Sequence, residues 1–383
     1  MVESQWRRRV GPGLLTIAVL GLLGAGQAGA DERTWTPQEC RAGPDPVSLR
    51  TIAPVPSGEP GPAPWYRLDP ALDDQLIVEG QRLTIGATGS DSGRSLALDP
   101  ESFAAGPFGG LILAGTDDGR ASSLRLIDPG AACGWTLATS SDVIRRATID
   151  PAMTAIYEYR VERETRNDLG VWRRELGRSA AARRVLPPLE ASAHFGTTFS
   201  TELSWTADGD QLVVQSCGEL ACRTRLLDPV AGTVAIVDQP DLGEVVGVIG
   251  DRMISYGACR GLPCPLTGIY LSSGDRTLLS EDSGVAVLVQ TAGGPRIVHE
   301  VGAGVRPVLR VLEPTGEETS RLVPPEDGLS LVPAPSRAGA GIGLAAGWIA
   351  LARDGGVAGG PDTFAVLRHL ETGRIVPIEE FTR

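Results

Sequence analysis

Leu203–Cys217 reads LSWTADGDQLVVQSC. Leu203 and Trp205 alternate with polar neighbours, Asp208-Gly209 interrupts the pattern, and Leu212–Gln215 resumes it. This is the signature of two short strands joined by a turn, because Asp hydrogen-bonds its own turn backbone and Gly adopts the positive φ the bend needs. Further on, TRLLDPVAG (Thr224–Gly232) reads as a third strand running into a second kind of turn, and TVAIV (Thr233–Val237) as a fourth strand.

The turn-bearing phrase returns along the chain. It occurs as YRLDP at Tyr66, LRLIDPG at Leu124 and LRVLEPTG at Leu309, with looser copies IYLSSG at Ile269, LRHLETG at Leu367 and VWRRELG at Val171. Aligned on the residue after the last apolar position, the copies fall on Asp69, Asp128, Glu175, Asp228, Ser272, Glu313 and Glu371, at intervals of 41 to 59 residues. A strand follows most of them, as in RTLLS after Asp275, SRLVP after Thr319 and RIVPI after Gly373. Four strands and three turns per repeat, with no competing helical periodicity, predict an all-β chain folded as a β-propeller of four-stranded antiparallel blades. Six blades are expected to begin near Ser92, Asp142, Phe195, Leu242, Gly284 and Leu329. Residues 64–91 supply part of another, so seven blades are preferred to six. How the ring closes is not visible, since the last blade brings its own outer strand.

SWTADGDQLVV also resembles the W-[ST]-x-D-G-x-x-[IL] phrase of TolB-like and related WD-type propeller repeats, and ATIDPAMTAIYEY (Ala147–Tyr159) keeps its Asp-x-x-x-x-x-Ile skeleton. The resemblance implies a closed ring of blades over most of the chain, a framework that commonly serves as a docking platform. It carries over no particular partner.

The repeat organises the cysteines. CGELAC (Cys217–Cys222) and CRGLPC (Cys259–Cys264) both fall where a second strand should turn into a third, in two successive blades. Facing residues of an antiparallel non-hydrogen-bonded pair have Cα atoms about 4.5 Å apart, within reach of a disulfide. Disulfides Cys217–Cys222 and Cys259–Cys264 are therefore expected ahead of a four-thiolate zinc site or a redox pair, and by elimination Cys40 pairs with Cys133. Such short loops would fix hairpin register more than global stability.

Composition points to an exported protein. Arg7–Arg9, the apolar run Leu14–Leu23 and Ala28-Gly29-Ala30 have the anatomy of a signal peptide over residues 1–30. A Pro- and Gly-rich arm is expected over 31–63 and the propeller over 64–383. The destination is periplasmic or extracellular, an oxidising place where six cysteines are read as disulfides. No later stretch is long and apolar enough to span a membrane. The formal charge of −12 becomes −14 once residues 1–30, with three arginines and Glu3, are removed. That balance argues against nucleic acid as a partner and favours another exported or envelope protein, bound by a monomer. The chain has no Lys and a single Asn, Asn167, which excludes lysine-based nucleophiles and the P-loop.

Local catalytic motifs are lacking. No HExxH or G-x-S-x-G occurs, and GSDSG at Gly89 puts Asp91 where a nucleophilic serine would stand. His194, His299 and His369 are read as structural, although His299 lies beside Glu300. Asp73-Asp74, Asp117-Asp118 and Asp208/Asp210 are read as turn residues; calcium held in the channel by groups from different blades stays open, and no cofactor is expected. The segment Ile144–Val185 concentrates ten arginines among interleaved carboxylates. One reading is a cross-strand ladder of ion pairs; the other is a docking patch formed by Arg160, Arg163, Arg166, Trp172 and Arg173. The function expected is a non-enzymatic binding or scaffold module. The alternative is a hydrolase or lactonase with a divalent metal held by carboxylates from several blades, which leaves no contiguous motif.

Overall fold

Every regular element among the described residues is a β-strand. The computed structural model describes residues 38–40, 64–72, 78–87, 94–98, 103–108, 111–128, 133–176, 181–189, 200–217, 222–237, 242–257, 263–302, 307–325, 328–332, 341–344, 347–353 and 365–378. The expected signal segment and most of the expected arm lie outside them, as do His194, Cys259 and the GSDSG loop.

In chain order, β1 (Gln38–Glu39) precedes β2 (Pro64–Leu72), β3 (Val78–Ala87) and β4 (Arg94–Leu98). Five successive meanders follow: β5 (Phe103–Phe108), β6 (Leu111–Asp117), β7 (Ser122–Asp128) and β8 (Cys133–Ser140); β9 (Val143–Ile149), β10 (Ala155–Val161), β11 (Asp168–Glu175) and β12 (Arg183–Leu186); β13 (Ser200–Trp205), β14 (Leu212–Cys217), β15 (Cys222–Leu227) and β16 (Val234–Val237); β17 (Leu242–Ile249), β18 (Arg252–Gly257), β19 (Cys264–Tyr270) and β20 (Arg276–Ser283); β21 (Ala286–Thr291), β22 (Gly294–Val301), β23 (Val308–Leu312) and β24 (Glu318–Leu322). The last stretch holds β25 (Leu329–Leu331), β26 (Gly341–Leu344), β27 (Trp348–Arg353), β28 (Ala365–His369) and β29 (Ile375–Ile378).

Among the described residues these strands form seven antiparallel sheets, one extended to five strands by β1, which runs parallel to β8. The first strands β26, β5, β9, β13, β17 and β21 touch in succession, as the innermost strands of a propeller do. The expected starts of the blades hold within a few residues except the first. Arg94–Leu98 near Ser92 is the outer strand of the preceding sheet, and the first complete meander starts at Phe103.

Ring closure is the main addition to the sequence reading. After β25 the chain leaves the last blade, lays β26 against β2 with Trp65 opposite Leu344 and Leu68 opposite Gly341, and returns as β27. The sheet begun by β2–β4 thus receives its innermost strand from an excursion of the last blade. YRLDP at Tyr66 also differs from the other copies: Asp69 and Pro70 sit inside β2, opposite Arg82 and Gln81, instead of in a turn. Pro70 is tolerated there because β26 pairs only with Trp65–Leu68, so its missing N–H leaves no bond unmade on that side.

Apolar residues that alternate along the strands meet between neighbouring sheets. Tyr157, Val171 and Leu186 pack on Leu212, Val214 and Leu227; Ile254 and Leu266 pack on Ala286 and Ile297. Trp205 of the opening stretch meets Tyr157 edge-on, with ring centroids 5.3 Å apart. The Asp208-Gly209 turn forms as read, with Gly209 at φ 79° and its N–H donated to the Thr206 carbonyl at 2.8 Å. In the DPVAG turn, Asp228 Oδ1 accepts the N–H groups of Val230 and Ala231 while Gly232 takes φ 69°. The arginine of the repeated phrase works between blades: Arg225 Nη1 donates to Pro187 O at 2.9 Å, and Arg368 Nη1 to Val323 O at 3.0 Å. Each carbonyl lies just after the outer strand of the preceding blade.

Candidate functional site

Antiparallel meanders sort their loops between two ends of the ring. Turns from second to third strands share one end with the links between blades, and the remaining turns lie at the other. At the first end, the turns 118–121 and 162–167 of two consecutive blades and the facing strand ends Cys217 and Cys222 of the next are fixed by three different devices.

The first is a clamp between blades. Asp117, at the end of β6, is buried; it accepts the Gly119 N–H at 2.8 Å and the Ser122 hydroxyl, and takes Arg163 on both oxygens at 2.8 and 3.0 Å. Arg163 also donates Nε to Ser141 O at 2.8 Å, and Ser122 Oγ accepts the Ile144 N–H at 3.1 Å. Burial alone would raise the Asp117 carboxyl, but the hydrogen bonds from Arg163, Ser122 and Gly119 outweigh it and hold it at about 2. Asp118 beside it accepts the N–H groups of Ala121 and Arg120, which lowers its carboxyl too.

The second device is a tight turn. Glu162 N donates to Asn167 O at 2.8 Å and Arg166 N to Glu162 O at 2.9 Å, while the Thr165 hydroxyl and Asn167 Nδ2 bond the Glu162 carboxylate. Arg166 takes φ 61° and, with Glu164, is exposed at the tip. The third is covalent. Cys217 and Cys222 face each other across β14 and β15, disulfide-bonded, with Cα atoms 4.0 Å apart. Cys264 at the equivalent corner of the next blade is likewise disulfide-bonded. Cys40 and Cys133 form the third predicted bridge, fastening β1 to β8.

The other expected docking residues lie within the sheet. Glu158 is wholly buried; one of its oxygens takes Arg160 and the other Arg174 Nε at 3.1 Å. Arg160 lies over the Trp172 ring, 4.9 Å from its centroid, with Asp142 at 3.9 Å. Trp172 Nε1 donates to Leu169 O, and Arg173 bonds the Tyr157 hydroxyl and approaches Glu175 at 3.8 Å. Arg160, Trp172 and Arg173 therefore belong to an internal network, Arg163 to the clamp, and Arg166 to the exposed tip. The sequence marks Asp117 only as a turn residue and Glu158 only as one of several carboxylates interleaved with the arginines, and it does not mark Ser122 at all. Asp117 and Arg163 are 46 residues apart, and only the blade spacing brings them together.

The histidines are packed. His299 is fully buried, its Nδ1 3.1 Å from Ser283 Oγ; burial and then Arg310 lower it to about 4. His369 packs edge-on against Trp348 and accepts the Thr372 N–H, and burial lowers it as well. Glu300 is turned away from His299 onto the Leu331 N–H. No group of three His, Cys, Asp or Glu side chains that could hold a metal ion occurs among the described residues.

No protein-family model and no curated protein sequence matches the chain. Among solved structures it is similar to a prolyl endopeptidase, with a TM-score of 0.55 and 12% identity over 87% of this chain and 52% of that one. A puromycin-hydrolyzing peptidase of Mycobacterium tuberculosis gives 0.51 and 12% over 92% and 57%. TolB of Acinetobacter baumannii gives 0.45 and 14% over 71% and 66%. The chain spans about half the length of the two peptidases. At these identities the likeness is one of fold, that of the β-propeller.

Proposed function

We propose that this chain is an exported, non-enzymatic propeller that binds another exported or envelope protein across the hairpin end of its ring. The supporting observation is the fixing of two neighbouring turns at that end by the Asp117–Arg163 clamp and the Glu162–Asn167 hydrogen bonds, with the strand ends of the next blade joined by the Cys217–Cys222 bridge. Loops held in one conformation before a partner arrives lose little entropy on binding, which is what a recognition surface on a rigid ring requires. Arg120, Arg166, Asp118 and Glu164 stand exposed there and offer both signs of charge. The bridges themselves favour an oxidising compartment, in keeping with export.

Site-specific photocrosslinking tests this reading. A photoreactive residue at position 120 or 166 should label the same partner, and one at Ser273, at the opposite end, should not. Labelling from Ser273 alone, or equally from all three positions, overturns it. Metal analysis of the purified protein separates the hydrolase alternative, which requires a stoichiometric divalent ion.

A further inference from the structure

The outermost strand of each blade presents one unpaired edge, and such edges invite another strand unless charge, proline or cover prevents it. Here most are guarded. β4 carries Arg94, β12 carries Arg183 and Arg184, and β20 carries Arg276, Glu281 and Asp282. β24 carries Glu318 and Arg321, and β29 carries Pro377. Two outer strands contain neither charge nor proline: β8 and β16. β8 is the one that already receives an added strand, since β1 pairs with its first residues and is fastened by Cys40–Cys133. β16, Val-Ala-Ile-Val, has no such cover among the described residues; Val234 is 40% and Ile236 59% exposed, and Val230 on the adjoining turn is 95% exposed.

We propose that β16 pairs antiparallel with β16 of a second copy, making a two-fold dimer with one continuous sheet across the interface, in place of the monomer expected from sequence. The strand's own order selects this occupant. A two-fold axis relating antiparallel strands stands perpendicular to the sheet and preserves its faces, so facing residues must have the same parity. With the axis at Ala235, Val234 faces Ile236 of the second copy, Ala235 faces its own counterpart, and Thr233 faces Val237. Every facing pair is then apolar or β-branched, a favourable cross-strand combination, and no like charges meet within the paired span. Two strands of four residues bury well under the ~1,000 Å² of a stable interface. The dimer is therefore weak and appears at high protein concentration.

Sedimentation velocity of the purified protein from about 10 μM to about 1 mM should show the average mass rising from that of one chain toward that of two. Ile236→Lys should raise the dissociation constant about tenfold or more, by placing charge on both sides of the axis. Val234→Thr with Ile236→Thr, which keeps strand propensity, should weaken association in the same direction if the lysine variant folds poorly. Ala235→Cys should form an intermolecular disulfide in air, and Val237→Cys, away from the axis, should form far less. A mass that stays at one chain throughout the range overturns the proposal. So does association that both β16 variants leave unchanged, or equal crosslinking from positions 235 and 237.

Discussion

His299 should make this protein lose stability in mild acid, in a window well above that of its carboxylates. Its imidazole is buried against Ser283 with Arg310 nearby, and is lowered from 6.5 to about 4. Between those values the unfolded chain binds a proton that the folded chain refuses. Stability is therefore complete above about pH 6.5 and falls as the pH drops toward 4. One pKa unit corresponds to about 1.4 kcal/mol, so the loss from this residue is about 2 kcal/mol at pH 5 and about 3 kcal/mol at pH 4. The assay is urea denaturation followed by tryptophan fluorescence at pH 7.5, 6, 5 and 4.5, on the wild type and on His299→Gln. Gln keeps an acceptor for the Ser283 hydroxyl without titrating, and His369 and the carboxylates contribute alike to both proteins. The wild-type curve should fall more steeply, by about 2 kcal/mol between pH 7.5 and 5. Parallel curves would refute the reasoning, as would a histidine resonance for residue 299 titrating near 6.5.

Three further outcomes follow from other parts of the molecule. Glu158→Ala should cost about 3–5 kcal/mol in chemical denaturation, because it strands Arg160 and Arg174 without their buried counter-charge; a loss below about 1 kcal/mol would contradict that pairing. Serine replacement of Cys40 and Cys133, which close a sequence separation of 93, should cost about 4–5 kcal/mol, against about 2 kcal/mol for Cys217 and Cys222, separated by 5. The reverse order in melting experiments would show that loop closure is not what these bridges supply. Arg163→Ala should raise the Asp117 carboxyl from about 2 toward the ordinary carboxylate value, because burial is then opposed only by the Ser122 and Gly119 hydrogen bonds. A carbon-detected NMR titration checks this, and an unmoved midpoint would rule the clamp out. In the wild type the stability tied to Asp117 is present above pH 3.8 and is lost as the pH falls toward 2.

The parts of this architecture written in contiguous residues were legible in the sequence. Trp205, Asp208-Gly209 and the DPVAG turn each specify a local conformation, and the spacing of the copies placed most strands. The cysteine corner could be read for the same reason: Cys217 and Cys222 are neighbours along the chain as well as across the hairpin. Contacts made by the ring itself were not legible. Nothing near Asp117 announces Arg163, and Gly341–Leu344, four residues of which two are Gly, lacks the length and β-branched density that mark a strand. It pairs only because the open inner edge of β2 stands beside the last blade. The arginine segment shows both cases. Its ion pairs were expected as a class, yet which arginines turn inward depended on Glu158 being the residue buried between strands.

The β26 excursion imposes an order on how the protein can be made. Trp65 and Leu344 are 279 residues apart in sequence, so the earliest meander to emerge from synthesis waits with its inner edge open for one of the last segments. Pairing over such a span is entropically slow, and an unpaired edge held open through that interval is exposed to wrong partners. The final blade therefore acts as a checkpoint for the first. A chain cut between Leu331 and Gly341 would leave two blades incomplete at once, the one begun by β2–β4 and the one begun by β25.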